Sequence, residues 1–158
     1  MINLEKRVDA LMRLCAADQE VDRNQLREEI RRMLEYNRRG FDPEQEIRKI
    51  LLELGAPDHL VGHPYVIRGI LLVVGDQLYI NHITFGLYPQ LAVEFDTTPA
   101  RVERAIRHLI EVTWCRGDLE TLNRYFGNTI SASKGKPTNG EFIARLANVV
   151  REKMKYVS

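Results

Sequence analysis

Apolar positions recur three and four residues apart from Val102 onward, at Ala105, Ile106, Leu109, Ile110 and Thr113, and polar side chains fill the gaps. A helix turning about 100° per residue puts that set on one face and Arg101, Glu103, Arg104, Arg107, His108 and Glu111 on the other. Thr98 and Pro99 mark its start, because a threonine hydroxyl accepts a bond from an orphan amide and proline gives up a donor that has no partner there. Upstream, Leu87, Leu91, Ala92 and Phe95 keep helical spacing, and Asp96 and Thr97 form a short polar break. Two helices joined by so short a turn are either a helix-turn-helix unit or an ordinary helical hairpin, and the pattern alone fits both. Ala92 is small enough to let the two helices approach closely.

The same periodicity predicts helices elsewhere and no strand. A helix opens at Asp42 and Pro43, with Ile47, Ile50, Leu51 and Leu54 inward, and ends at Gly55 and Pro57. Pro64 to Val74 reads as another, burying Val66, Ile67, Ile70, Leu71 and Val74. A short helix is predicted from Asp118 to Tyr125. Thr138 and Glu141 are spaced as a capping box before a last helix that packs Phe142, Ile143, Leu146, Val149 and Val150. Within residues 1–40, the stripes Leu4, Val8, Leu11, Cys15 and Leu26, Ile30, Met33, Asn37 predict a helical hairpin. It either folds back on the domain or pairs with a second copy of the chain. The expectation is an all-α protein: a bundle of about six helices at 41–158 containing a helix-turn-helix, preceded by that N-terminal arm.

Composition narrows the class. At 158 residues, 44% hydrophobic and 28% charged, the chain can bury a core of its own. No apolar run approaches the ~20 residues of a membrane span, and Met1 to Ala17 is too charged for a secretory signal, so a cytoplasmic protein without a membrane partner is expected. Cys15 and Cys115 match no metal or redox spacing and are read as reduced, packed thiols. His59 and His63 sit four apart but are broken by Gly62 and Pro64, so no metal site is expected. No nucleophile, paired carboxylates or glycine-rich phosphate loop stands out, which argues against an enzyme and against a cofactor. Net charge is +1, but residues 1–96 hold 12 Lys and Arg against 16 Asp and Glu, whereas residues 97–158 hold 11 against 6. A positive C-terminal part is what a face meeting phosphates requires.

Guanidiniums on the polar face of the 99–116 helix match guanine edges and phosphates. Glu103 with Arg107, and Arg107 with Glu111, are also spaced i,i+4, so the same face would arise from a solvated, self-paired helix. Downstream, Ser131, Ser133, Lys134 and Lys136 cluster in SASKGKPTNGEF, supplying hydroxyls and ammonium groups that hold sugar-phosphate without reading sequence.

The runs RVERAIRHLIEVTWCRG from Arg101 and SASKGKPTNGEFIA from Ser131 closely resemble the DNA-binding effector domain of the stage zero sporulation protein A family. The likeness extends more weakly through ILLELGAP and LYPQLAVEF to cover about residues 45–155. It implies a helical transcription regulator bound to double-stranded DNA. By that resemblance, Arg101, Glu103, Arg104, Arg107 and His108 lie on the recognition helix, with Glu103 and Arg104 reading bases, while Ser131, Ser133, Lys134 and Lys136 contact the backbone. Ala100 stands where the family commonly has a serine, so one phosphate-contacting hydroxyl is expected to be missing. The family proper also carries a receiver domain built of alternating strands and helices. Residues 1–40 show no strand signal, so control by a receiver is not expected here. The other reading is a protein-interaction module or antagonist of a related regulator.

Overall fold

The computed structural model describes residues 24, 27, 28, 30, 31, 40–127 and 135–157. They fall into two compact units, Asp42–Lys155 and Met1–Phe41 with Tyr156–Ser158. In the smaller unit the described residues 24, 27, 28, 30 and 31 are helical, and Arg31 pairs with Glu28 at 3.2 Å. The rest of the two predicted arm stripes, including Cys15, lies outside the described residues.

In the larger unit the helix ends are set by local chemistry. The Asp42 carboxylate accepts from the Glu44 N–H, Pro43 is the first residue of α1 (Pro43–Leu54), and Gly55 closes it at φ 80°. Next come α2 (Gly62–Gly75), a one-turn α3 (Leu78–Asn81), a π-helical turn over Ile83–Leu87, and α4 (Tyr88–Glu94). Then follow α5 (Pro99–Arg116), α6 (Leu119–Phe126) and α7 (Asn139–Val157). Among the described residues there is no strand. The Thr98 hydroxyl accepts from the Arg101 N–H at 3.3 Å, and the Asp118 carboxylate caps α6 by accepting from Thr121 at 3.0 Å. Both bonds of the predicted capping box form: Glu141 N–H donates to the Thr138 hydroxyl at 3.2 Å and Thr138 N–H to the Glu141 carboxylate at 2.9 Å.

The inward faces meet in one core. Ile47, Ile50, Leu51 and Leu54 of α1, Val66 and Ile70 of α2, Val102, Ile106, Leu109 and Ile110 of α5, and Phe142, Ile143 and Val150 of α7 are completely shielded from solvent. Shielding a side chain of this size stabilises by roughly 1.5–3 kcal/mol. Trp114, Phe126 and Phe142 join α5, α6 and α7, with the last two rings stacked at 5.3 Å. The helix α5 is central: α2 and α4 both pack on it. Gly62 permits the closest approach, since a Cβ there would lie 2.2 Å from the Ala105 carbonyl oxygen. The helix α7 is tied down by Arg145, which donates to the Tyr125 carbonyl at 2.6 Å, and by Arg151, which donates to the Val73 carbonyl.

Three local expectations shift. In α2 the buried apolar side chains are Tyr65, Val66, Ile67, Ile70 and Val73, whereas Leu71 and Val74 are only partly covered. Cys115 is an exposed thiol rather than a packed one, because Thr113 takes the inward position two residues earlier and donates its hydroxyl to the Leu109 carbonyl at 2.7 Å. Phe95 lies at the surface edge, its ring against Tyr65 at 4.8 Å.

Candidate nucleic-acid interface

The pair α4 and α5 forms the helix-turn-helix unit. Its turn runs through Phe95 to Thr98, and Asp96 takes φ 51°, the left-handed conformation that glycine fills in many such turns. Thr97 N–H donates to the Ala92 carbonyl at 2.9 Å and Asp96 N–H to the Val93 carbonyl at 3.4 Å, which satisfies the end of α4 while redirecting the chain into α5. Ala92 is buried, as the close approach of the two helices requires.

On α5, Arg101, Glu103, Arg104 and His108 are exposed. Arg101, Arg104 and His108 follow one line along the helix, three and then four residues apart. The Arg104 guanidinium bends back to the Ala100 carbonyl at 3.4 Å, a long bond to a group in the first turn. Arg107 behaves differently. It is only partly exposed; its Nε donates to Glu111 at 3.3 Å and its Nη1 to the Pro137 carbonyl at 2.9 Å. Of the two i,i+4 pairs anticipated on this face, it is the second that forms.

Lys136 also approaches Glu111, at 3.6 Å. The Glu111 carboxyl is held below its ordinary range, first by the Lys136 charge and then by the Arg107 hydrogen bond. Asn139, the buried first residue of α7, donates its amide to the Glu103 carbonyl at 3.1 Å and to the Tyr88 hydroxyl at 3.0 Å. Burial raises the Tyr88 hydroxyl above its usual range, so it stays protonated across physiological pH. Ser131, Ser133 and Lys134 lie outside the described residues.

Part of the C-terminal excess of positive charge is already engaged within the domain. Arg124 lies 3.6 Å from Glu53, Lys153 pairs with Glu46, and Arg145 and Arg151 serve backbone carbonyls. Arg124, Lys153 and Arg151, counted as a possible phosphate surface, reach across to the negative N-terminal half of the domain, while Arg145 bonds within the C-terminal half. Those partners were invisible to a count of charges. Arg101 and Arg104 remain on the exposed line.

The family model described as Sporulation initiation factor Spo0A C terminal matches residues 47–150, from the first buried isoleucine of α1 to Val150 of α7. The chain belongs to this family. The family is the DNA-binding effector domain of a sporulation transcription factor, so the unit built around α4 and α5 is a DNA-binding regulatory domain, and the family is not one of enzymes. Among the described residues no helix is long and apolar enough to cross a membrane. His63 is buried at the start of α2 while His59 stays in the preceding turn, so the two do not share a helix face, and no group of three or more potential metal ligands occurs among the described residues.

Proposed function

We propose that the protein is a sequence-specific transcription regulator that sets α5 in the major groove of double-stranded DNA. The observation that carries this is the exposed line Arg101, Arg104 and His108, with Glu103 beside it, on a helix whose opposite face is wholly buried. A helix fixed by its apolar face presents its polar one at a constant distance and angle, and base readout needs both. Arginine forks onto guanine O6 and N7, and glutamate accepts from a cytosine amine. Ser131, Ser133, Lys134 and Lys136 are assigned to phosphates, which set register without carrying sequence information.

The rival reading is a module that binds a related regulator and has little DNA affinity. What favours it is that Arg107 and Lys136, two of the cations assigned to DNA, already have partners within the domain. Alanine substitution separates the two. Arg104→Ala should cost about 1–3 kcal/mol on a preferred duplex and relax the preference at one base pair, while Lys134→Ala should weaken all duplexes about equally. An Arg104 variant that loses preferred and random DNA alike would end the base-reading role. A homodimer through the N-terminal arm belongs to the same proposal, since two copies would hold two recognition helices in a fixed relation. Light scattering over a concentration series, with and without residues 1–40, tests it, and a full chain that stays monomeric would dispose of it.

A further inference from the structure

Three contacts run in register along α5. Asn139 meets the carbonyl of Glu103, the Pro137 carbonyl receives Arg107, and Lys136 meets Glu111. The positions on α5 advance by four residues each time, 103, 107 and 111, and those on the facing segment run backward, 139, 137 and 136. The segment from Lys136 to Asn139 therefore lies antiparallel along one line of the recognition helix. That line adjoins the exposed one through Arg101, Arg104 and His108.

We infer that Arg107 is a positioning residue rather than a reader of bases: with Glu111 it clamps the segment Lys136–Asn139 along α5, so that Lys136 and the reading face meet DNA as one rigid body. The inference rests on the DNA-binding reading and refines it, moving Arg107 out of the set of residues that touch DNA. The chemistry suits arginine. Its planar fork serves two acceptors in different directions at once, here a carboxylate and a backbone carbonyl, and lysine, a compact point charge, does not reproduce both. The Pro137 carbonyl would otherwise need a donor from water in a place where Pro137 itself is buried. Glu111 lies between two cations that would repel each other at such proximity, accepting from Arg107 at 3.3 Å and meeting Lys136 at 3.6 Å. Asn139 fixes the other end by reaching both α4 and α5. Phosphate contacts made from Lys136 are then set at a fixed distance from Arg104, and the ordering cost of the segment is met on folding rather than on binding.

The test compares Arg107→Ala, Arg107→Lys, Lys136→Ala and the double variant Arg107→Ala with Lys136→Ala. The full chain is used, on a duplex enriched from a random pool by the unmodified protein and on scrambled DNA over a salt series. If Arg107 positions the segment, both Arg107 variants lower the log–log salt slope by about 1, leave the ranking of base-pair variants unchanged, and make Lys136→Ala silent when added. If Arg107 instead touches phosphate itself, lysine rescues it and the slopes of the double variant add. If it reads a base, preference relaxes at one base pair and the slope stays. Either result overturns the inference. Hydrogen exchange over residues 135–141 without DNA separates this from failure of the DNA-binding reading. Exchange should quicken in Arg107→Ala but not in Arg104→Ala, and an unchanged rate in Arg107→Ala overturns the clamp whatever the protein binds.

Discussion

Gly62→Ala should damage both the fold and the DNA-binding face, although it adds a single methyl group and replaces a poor helix former with the best one. At this point α2 begins against the backbone of α5. An added Cβ would sit 2.2 Å from the Ala105 carbonyl oxygen, 2.7 Å from its carbonyl carbon and 3.2 Å from the Ile106 nitrogen. A relaxed carbon-to-oxygen contact is about 3.3 Å or longer, so the two helices must part by about 1 Å. No side chain can rotate out of the way, because the obstructing atoms are backbone. Overpacking of this kind costs about 1–3 kcal/mol and more where nothing can yield, so the upper end applies here. The gain in helix propensity, up to about 1 kcal/mol, offsets part of it. A net loss of about 2 kcal/mol is expected, read as a lower urea midpoint at unchanged slope by circular dichroism. Because the displaced partner is α5, affinity for a preferred duplex should fall in the same variant at temperatures where it is folded. A Gly62→Ala protein within about 0.5 kcal/mol of the unmodified one would refute the close packing of α2 on α5.

Asp96 holds a left-handed conformation, so Asp96→Val should lower stability by about 1–2 kcal/mol while Asp96→Gly leaves it nearly unchanged, and thermal melts of the pair check this. Thr98→Ala removes the cap of α5 and should cost about 1 kcal/mol, measured by urea unfolding; no loss would mean that the 3.3 Å bond to Arg101 is idle. The Tyr125 hydroxyl donates to Glu53 at 2.7 Å, and burial followed by that bond pushes its pKa up to about 12 from 10.0. A raised value means that the folded form keeps a proton the unfolded chain has released. Stability should therefore decline from about pH 10 toward about pH 12, and the decline should be shallower in Tyr125→Phe.

Helix ends were legible wherever they rest on neighbours in sequence. Thr98 with Pro99, Asp42 with Pro43, and Thr138 with Glu141 form the caps that their spacing predicts, because a cap is satisfied within about one turn. The buried faces of α1, α5 and α7 were legible for a related reason: an amphipathic period is repeated often enough to outvote single positions. What sequence missed depends on distant partners. The chain between Gly75 and Tyr88 bears no period, and its short α3 and π-helical turn carry partly buried Tyr79, Ile80 and Ile83 against the core. Gly62 reads as a helix breaker until the backbone of α5 is set beside it. The face of α5 came out as expected, but Arg107 was grouped with Arg101 and Arg104 because all are polar positions of one helix. Its partner at Pro137 is thirty residues away, and nothing local distinguishes a guanidinium that clamps from one that waits.

Affinity of the full chain for a preferred duplex against a scrambled one of equal length, titrated by fluorescence anisotropy from low to moderate salt, tests the central proposal most directly. The preferred duplex is one enriched from a random pool by the protein itself. A sequence-reading helix supported by phosphate contacts predicts a preference of about a thousandfold or more and an affinity that falls steeply as salt rises, with one counterion released for roughly each phosphate met. Equal affinity for the two duplexes, or an affinity indifferent to salt, would contradict it and leave the exposed face of α5 to a protein partner.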